Sequence, residues 1–157
     1  MMNIRIANEN DFESVKHITQ NTIKTVYPKY YPSGAVQFFS DHHSDERILE
    51  DIKASKVYLI EDEGNEVGTV TICGNEINRL FVLAKYQHKG YGRALMDFAE
   101  QMISKENDTI ILDASLPAKK IYLLRGYVAT AYNMIKTDNG DYLCFDVMER
   151  HIGGKEI

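Results

Sequence analysis

The sequence has little of what marks several broad protein classes. Its two cysteines, Cys73 and Cys144, lie far apart in segments of strand pattern. They make neither a metal-ligand spacing nor a disulfide framework, so reduced, buried thiols are expected. No apolar run approaches the ~20 residues that a membrane span requires, so no membrane partner is expected. Residues 1–5 show no basic stretch leading into an apolar one. A secretory signal is therefore not visible, and the cytoplasm is the expected compartment. Basic charge is not in excess either: 18 Lys and Arg face 23 Asp and Glu, for a net charge of −5. That argues against nucleic acid as a partner, because phosphate binding calls for a basic face. No repeat, low-complexity tract or Pro/Gly/Ser linker divides the chain, and residues 1–157 read as one domain.

What is present is a globular composition, 44% hydrophobic and 26% charged. Residues 3–7 alternate as a half-buried strand does. Asn10 with Glu13 reads as a capping box, and Phe12, Val15, Ile18, Ile23 and Val26 follow at helical spacing. Tyr27-Pro28 and Tyr31-Pro32 break that helix. Residues 35–40 suggest a short second helix, and Ser44 with Asp45 and Glu46 opens a third. The period then changes to that of strands at 57–61, 67–73 and 76–83, an antiparallel meander with turns at 62–65 and 74–75. Residues 90–106 return to helical spacing, with Leu95, Phe98, Ala99, Met102 and Ile103 on one face. A strand at 109–113, a helix at 116–124 ended by Gly126, and a hairpin of strands 127–136 and 141–149 complete the chain. The expected fold is α+β: a mixed, mostly antiparallel sheet of about seven strands with helices on both faces and one βαβ crossover.

The chemistry is concentrated in Leu80-Phe81-Val82-Leu83-Ala84-Lys85-Tyr86-Gln87-His88-Lys89-Gly90-Tyr91-Gly92-Arg93. A strand ends, a loop turns, and two glycines one residue apart open an amphipathic helix. Glycines let successive N–H groups point into one concavity, and the helix start adds unpaired donors and a positive dipole end. Together these make a site for phosphate or pyrophosphate, with His88, Lys89 and Arg93 adding positive charge. Gly90-Tyr91-Gly92, with Asp113 about 20 residues on, also partly fits a dinucleotide fingerprint. Leu95 stands where its third glycine belongs, however, and an antiparallel meander precedes the loop. No Gly-Lys-Ser/Thr follows, which excludes a Walker-type site.

Gln87-His88-Lys89-Gly90-Tyr91-Gly92 resembles the pyrophosphate loop Arg/Gln-x-x-Gly-x-Gly/Ala of the GNAT superfamily of acetyl-CoA-dependent N-acetyltransferases. Leu80-Phe81-Val82 takes the place of the strand leading into that loop. Ala118 through Tyr127 is similar to the family's second signature, Ala-x-x-x-Tyr-x-x-x-Gly-Phe/Tyr. The element order fits the family over nearly the whole chain. One departure is Ser115, where many relatives carry Asn.

The resemblance implies acetyl-CoA as co-substrate, no metal, and a primary amine as acceptor. Polyamine, amino acid, aminoglycoside and protein N-terminus or lysine all stay open, and the acidic balance and one-domain size favour a small molecule slightly. The backbone of Phe81, Val82 and Leu83 would meet the pantetheine and thioester. Residues 87–93 and Ser115 would complete the cofactor site. Tyr122, at the tyrosine of the second signature, would give a proton to the departing thiolate. It would otherwise be an aromatic packing its helix. Glu76 is the candidate general base, directly or through water; the plainer reading is a solvated strand start.

His42-His43 is not matched by a third metal ligand and reads as solvent-facing. Ser115 followed by Pro117 reads as a helix cap rather than a nucleophile. The aromatic stretch Tyr27, Tyr30, Tyr31, Phe38 and Phe39 would either line the acceptor pocket or pack over the sheet. A non-catalytic acetyl-CoA-binding module on the same fold is the alternative function. The last strand and residues 151–157 could reach a second copy, giving a homodimer.

Overall fold

The computed structural model describes residues 1–152. Seven strands form one sheet in the order β1-β2-β3-β4-β5-β7-β6. They are β1 (Asn3–Ile6), β2 (Val57–Asp62), β3 (Asn65–Cys73), β4 (Glu76–Val82), β5 (Thr109–Ala114), β6 (Val128–Lys136) and β7 (Tyr142–His151). All neighbours run antiparallel except β4 and β5, which are joined by the expected helical crossover. The helices are α1 (Phe12–Val26), α2 (Ser33–His42), α3 (Asp45–Lys53), α4 (Tyr91–Ser104) and α5 (Leu116–Leu124).

Alternation along the strands divides the core between the two faces of the sheet. Leu59 packs with Val15, Ile18 and Ile23 of α1 and Ile48 and Ile52 of α3. Its neighbour Ile60 packs with Leu95, Met96 and Ala99 of α4, in the same core as Tyr122 of α5. Most of the stabilisation comes from burying these amphipathic faces, which short helices need because isolated ones are marginal in water.

Three local expectations change. The capping box before α1 is formed by Asn8 and Asp11, not Asn10 and Glu13. The Asn8 side chain accepts from the Asn10 N–H, and the Asp11 carboxylate accepts from the Asn8 N–H, each at 2.9 Å. Arg5 then grips both oxygens of that carboxylate at 2.8 and 2.9 Å, which selects this register. Cys73 and Cys144 are free thiols, but half-buried rather than buried. The last strand, β7, is enclosed between β5 and β6 and offers no free edge to a second copy. The remaining part of that expectation, residues 153–157, lies outside the described residues.

The feature that positions the site is an irregularity in β4. Phe81 pairs with Thr69 and Asn78 with Thr71, so Arg79 and Leu80 stand opposite the single residue Val70. This is a β-bulge, with Arg79 at φ 46°. A non-glycine residue in that region needs support from its surroundings. The support comes from the arginine head, whose Nη1 donates to Asp51 at 2.6 Å and Thr71 at 3.2 Å, and whose Nε donates to His43 Nδ1 at 3.2 Å.

Beside the bulge, Gly68 lets β3 approach closely: a Cβ there would lie 2.9 Å from the Phe81 carbonyl oxygen. Gly68→Ala is therefore expected to destabilise the protein by about 1–3 kcal/mol, the usual range for overpacking. Equilibrium urea unfolding measures it, and an unchanged midpoint would show that β4 yields without cost.

Candidate active site

β4 and β5 begin as a parallel pair and then part. Only Glu76 with Ile111 and Ile77 with Leu112 are in register. Beyond them β5 stays paired to β7 as far as Ala114 with Asp146, while β4 has turned at its bulge. The bulge also changes which backbone groups face the opening. Before it, the Asn75 carbonyl accepts from Ile111 on β5. After it, the Leu83 N–H donates to Val67 on β3 at 2.9 Å. Backbone direction alternates along a strand, so Phe81 shares the β3-facing side with Leu83, while Leu80 and Val82 face the opening. Of the three residues expected to offer backbone groups to a cofactor, Phe81 and Leu83 thus turn theirs to β3, and only Val82 faces the opening. Leu80, not singled out from the sequence, takes its place beside Val82.

Two cavities meet at this opening, on either side of Phe81. The first, about 250 Å³, runs from Leu80 and Val82 past Gln87, His88 and Gly92 to Pro117 and Ala118. The loop at its end has the conformation that the glycines foretold. His88 lies at φ 63° and Gly90 at φ 92°, and Gly90 starts α4 with no side-chain cap. The first intrahelical donor is Ala94, to the Gly90 carbonyl, so the N–H groups ahead of it have no partner within the helix. A Cβ on Gly92 would meet no protein atom nearer than Val82 at 3.9 Å. The backbone there is left bare on the groove side, as close approach of a ligand requires.

The other loop residues separate by role. His88, Lys89 and Arg93 are exposed around the helix start, with the Lys89 ammonium also over the Tyr86 ring. Gln87 spends its carboxamide on the Val82 carbonyl at 3.0 Å, fastening the loop to β4. Tyr91 is buried, and its hydroxyl donates to Asp62, so only its backbone is available to the groove. Ser115 lines both cavities. It occupies the cap position of α5 but its side chain caps nothing. The Leu116 N–H is instead met by the Tyr31 hydroxyl at 2.6 Å.

The second cavity, about 180 Å³, lies between α2, β4 and the β6–β7 hairpin. Tyr27, Phe38 and Phe39 of the aromatic stretch line it, whereas Tyr30 faces the first cavity. Tyr122 closes it from α5. That side chain is 5% exposed, and its hydroxyl has no hydrogen-bond partner among the described residues. Burial pushes the phenol well above its ordinary range.

At its polar end the cavity continues into a compartment walled by His42, His43, Glu76, Asn78, Arg79 and Asp113. Burial raises the Glu76 carboxyl above its usual value, and the nearby Asp113 charge adds to that. Burial also raises Asp113. His43, expected to face solvent, is largely enclosed instead. Burial and the Arg79 charge lower it to about 3, so it is neutral, with Nδ1 accepting from Arg79. No cluster of potential metal ligands occurs among the described residues. No helix among them is long and apolar enough to cross a membrane.

The model of the acetyltransferase (GNAT) domain family matches residues 26–142. The chain belongs to the GNAT family. Solved structures agree across nearly its whole length. A GCN5-related N-acetyltransferase from Rhodopseudomonas palustris superposes with a TM-score of 0.87 at 20% identity, covering 96% of this chain and 95% of that one. PaiA N-acetyltransferase from Thermoplasma acidophilum, in complex with coenzyme A, gives 0.74 at 20% identity over 96% and 99%. YncA from Salmonella typhimurium, with its cofactor acetyl-CoA, gives 0.75 at 14% identity over 100% and 97%. No curated protein sequence matches the chain significantly. This GNAT protein is an acetyltransferase, and the co-substrate expected for it is acetyl-CoA. The bare Gly92 backbone and the uncapped start of α4 fit the pyrophosphate, and the open edge of β4 fits an extended, amide-bearing arm.

Gly92→Ala separates stability from binding. An alanine in the first turn of α4 fits the fold and is expected to raise stability slightly, by up to about 1 kcal/mol. It also occupies the approach to the helix N-terminus and should weaken acetyl-CoA binding about tenfold or more, a change of at least ~1.4 kcal/mol. Calorimetric titration beside a thermal melt checks both; unchanged affinity would mean that the ligand does not approach Gly92.

Proposed function

We propose that this enzyme transfers the acetyl group of acetyl-CoA directly to the primary amine of a small molecule, as a single catalytic domain working in the cytoplasm. The observation that carries this reading is the enclosed Tyr122 side chain on the wall of the second cavity, whose hydroxyl pairs with no other described residue. A phenol hydroxyl without a protein partner beside a cavity is free to donate to a ligand there.

Acetyl-CoA supplies an activated acetyl thioester, and the chain's own residues do the rest. The Val82 N–H, at the open edge of β4, is the donor available to a carbonyl or amide there. Residues 87–93 hold the pyrophosphate, with Ser115 and the Leu80 and Val82 backbone along the arm. Tyr122 stays neutral because it is buried, and its O–H is the donor available to the departing sulfur. A thiolate in such a dry site is a stronger base than in water, which favours taking that proton. Glu76 is the proton acceptor for the incoming ammonium, directly or through one water. Its raised pKa brings it closer to neutrality, where a carboxylate is a better base and remains ionised.

Tyr122→Phe should leave acetyl-CoA affinity near normal while lowering kcat by about 10²–10⁴-fold, the usual span of a general acid or base. Because only ionised Glu76 accepts a proton, kcat/KM should fall as pH drops through a value above that of an ordinary glutamate. In Glu76→Gln that acidic limb should disappear along with most of the activity. Stopped assays of free thiol across pH measure both variants. Full turnover in either one removes that residue from the chemistry.

A further inference from the structure

The second cavity also indicates the kind of amine that enters it. Its walls are Phe38 and Phe39 of α2, Phe81 of β4, and Ile135, Leu143 and Phe145 of the hairpin. Its volume, about 180 Å³, is close to that of apolar cavities of about 150 Å³ that hold a benzene ring. The cavity is roofed, and the roof is fastened at both ends. At the start of α2 the Gly34 N–H donates to the Asp141 carboxylate at 2.8 Å. At its end the Gln20 carboxamide donates to the carbonyls of Ser40 and His43 at 3.1 and 3.0 Å, and accepts from the Ser40 hydroxyl at 2.6 Å. A polypeptide lying across the chamber would have to displace this helix, and the chamber itself, about 180 Å³ with mostly apolar walls, does not suit an oligosaccharide.

Charge at the polar end is negative on balance, with four carboxylates (Glu50, Asp51, Glu76 and Asp113) against the cations Arg47 and Arg79. Arg79 is committed to Asp51, His43 is neutral, and Arg47 points its guanidinium at His42 from 3.4 Å. Glu76 and Asp113 have no cationic partner within salt-bridge distance among the described residues, and Glu50 is the fourth carboxylate of the compartment. Negative charge beside an apolar chamber suits an ammonium on a hydrophobic body. A second cationic group inside that chamber would be left without a partner. Tyr122, 5% exposed, lines the same chamber, so the proposed acid and the apolar walls share one space.

We propose that the acceptor is a primary amine on a compact apolar body, an arylalkylamine or branched alkylamine, held with its ring or alkyl group against Phe38, Phe39 and Phe145 and its nitrogen toward Glu76 and Asp113. This rests on the transfer reading given above. The ammonium gives one proton to the carboxylate pair. The neutral nitrogen attacks the thioester carbonyl, the C–N bond forms, the nitrogen loses a second proton to solvent, and the C–S bond breaks. The thiolate then takes the Tyr122 proton, which is restored from the carboxylate pair through solvent. The products are the N-acetylated amine, coenzyme A as its thiol and one released proton.

The test is free-thiol release by the full-length protein with saturating acetyl-CoA. The acceptors are benzylamine, phenethylamine and isoamylamine, compared with spermidine, kanamycin, and peptides bearing an N-terminal alanine or an internal lysine. The apolar amines should exceed the others in kcat/KM by about a hundredfold, the scale of discrimination that a well-fitted pocket provides. Phe38→Ala and Phe145→Ala should each cost the apolar amines about tenfold or more, mainly in KM, with the KM for acetyl-CoA unchanged. Preferred turnover of spermidine, kanamycin or a peptide would overturn the apolar acceptor while leaving amine acetylation standing. Bound acetyl-CoA with no thiol released by any amine would overturn the transfer reading itself, and this inference with it.

Discussion

Everything at the site depends on β4 leaving β5 after two residues in register, and that departure is set by how one arginine is held. Arg79 occupies a backbone conformation disfavoured for a side chain of its size, and the bulge persists because Asp51, Thr71 and His43 engage its head. The ion pair is largely buried, the arginine side chain 6% exposed and the aspartate 23%. Such a pair adds little net stability compared with an apolar replacement, yet breaking it leaves a buried charge uncompensated. Its value here is geometric. It moves the β5-facing backbone from odd to even positions, so the open edge of β4 belongs to Leu80 and Val82. The same contacts hold His43 neutral beside the acceptor chamber, so a single network shapes both halves of the site.

The acceptor chamber is assembled from segments distant in the chain, and hydrogen bonds of opposite polarity keep them together. The hairpin loop that carries Asp141 also places Asn139 against Gly34, where a side chain on α2 would collide with it. Tyr31, just before α2, caps the start of α5, the helix that presents Tyr122. Movement of the roof is thereby coupled to the position of the proposed acid. These polar contacts set the distance between α2, α5 and the hairpin, and the apolar area between them supplies the adhesion.

How much of this was legible in the sequence follows from the range of the forces involved. The phosphate loop was readable because its conformation is local: Gly90 needs a positive φ, Gly92 needs no Cβ, and both stand beside a helical period that cannot be mistaken. The seven strands and five helices were readable from their periods alone, with ends displaced by a residue or two. The bulge was not, because no glycine marks it and its cause, Asp51, lies 28 residues away on another helix. That is why Phe81 and Leu83 were expected at the open edge and Leu80 was not. Ser115 has the residue type and the neighbouring proline of a cap, but a tyrosine hydroxyl reaches the helix start first. Asn10 lost the capping role to Asn8 because Arg5 fixes Asp11. His43 and Asp113 were weighed for a metal and for a ribose, and both stand in the acceptor compartment, placed there by tertiary contacts that no local pattern encodes.

The aromatic walls and the acidic end of the chamber have one physical cause and two consequences. Removing water from Glu76 and Asp113 raises their proton affinity, and removing it from Tyr122 keeps that phenol protonated. The walls that would recognise an apolar body are therefore the walls that poise the proposed acid and base. A wider, wetter pocket would accept larger acceptors but would let the carboxyls return toward their ordinary range, weakening the base that the ammonium needs. Only a charge that did not disturb this balance could be tolerated nearby. Arg79 meets that condition because Asp51 pairs with it, so specificity and proton transfer in this site are set by the same desolvation.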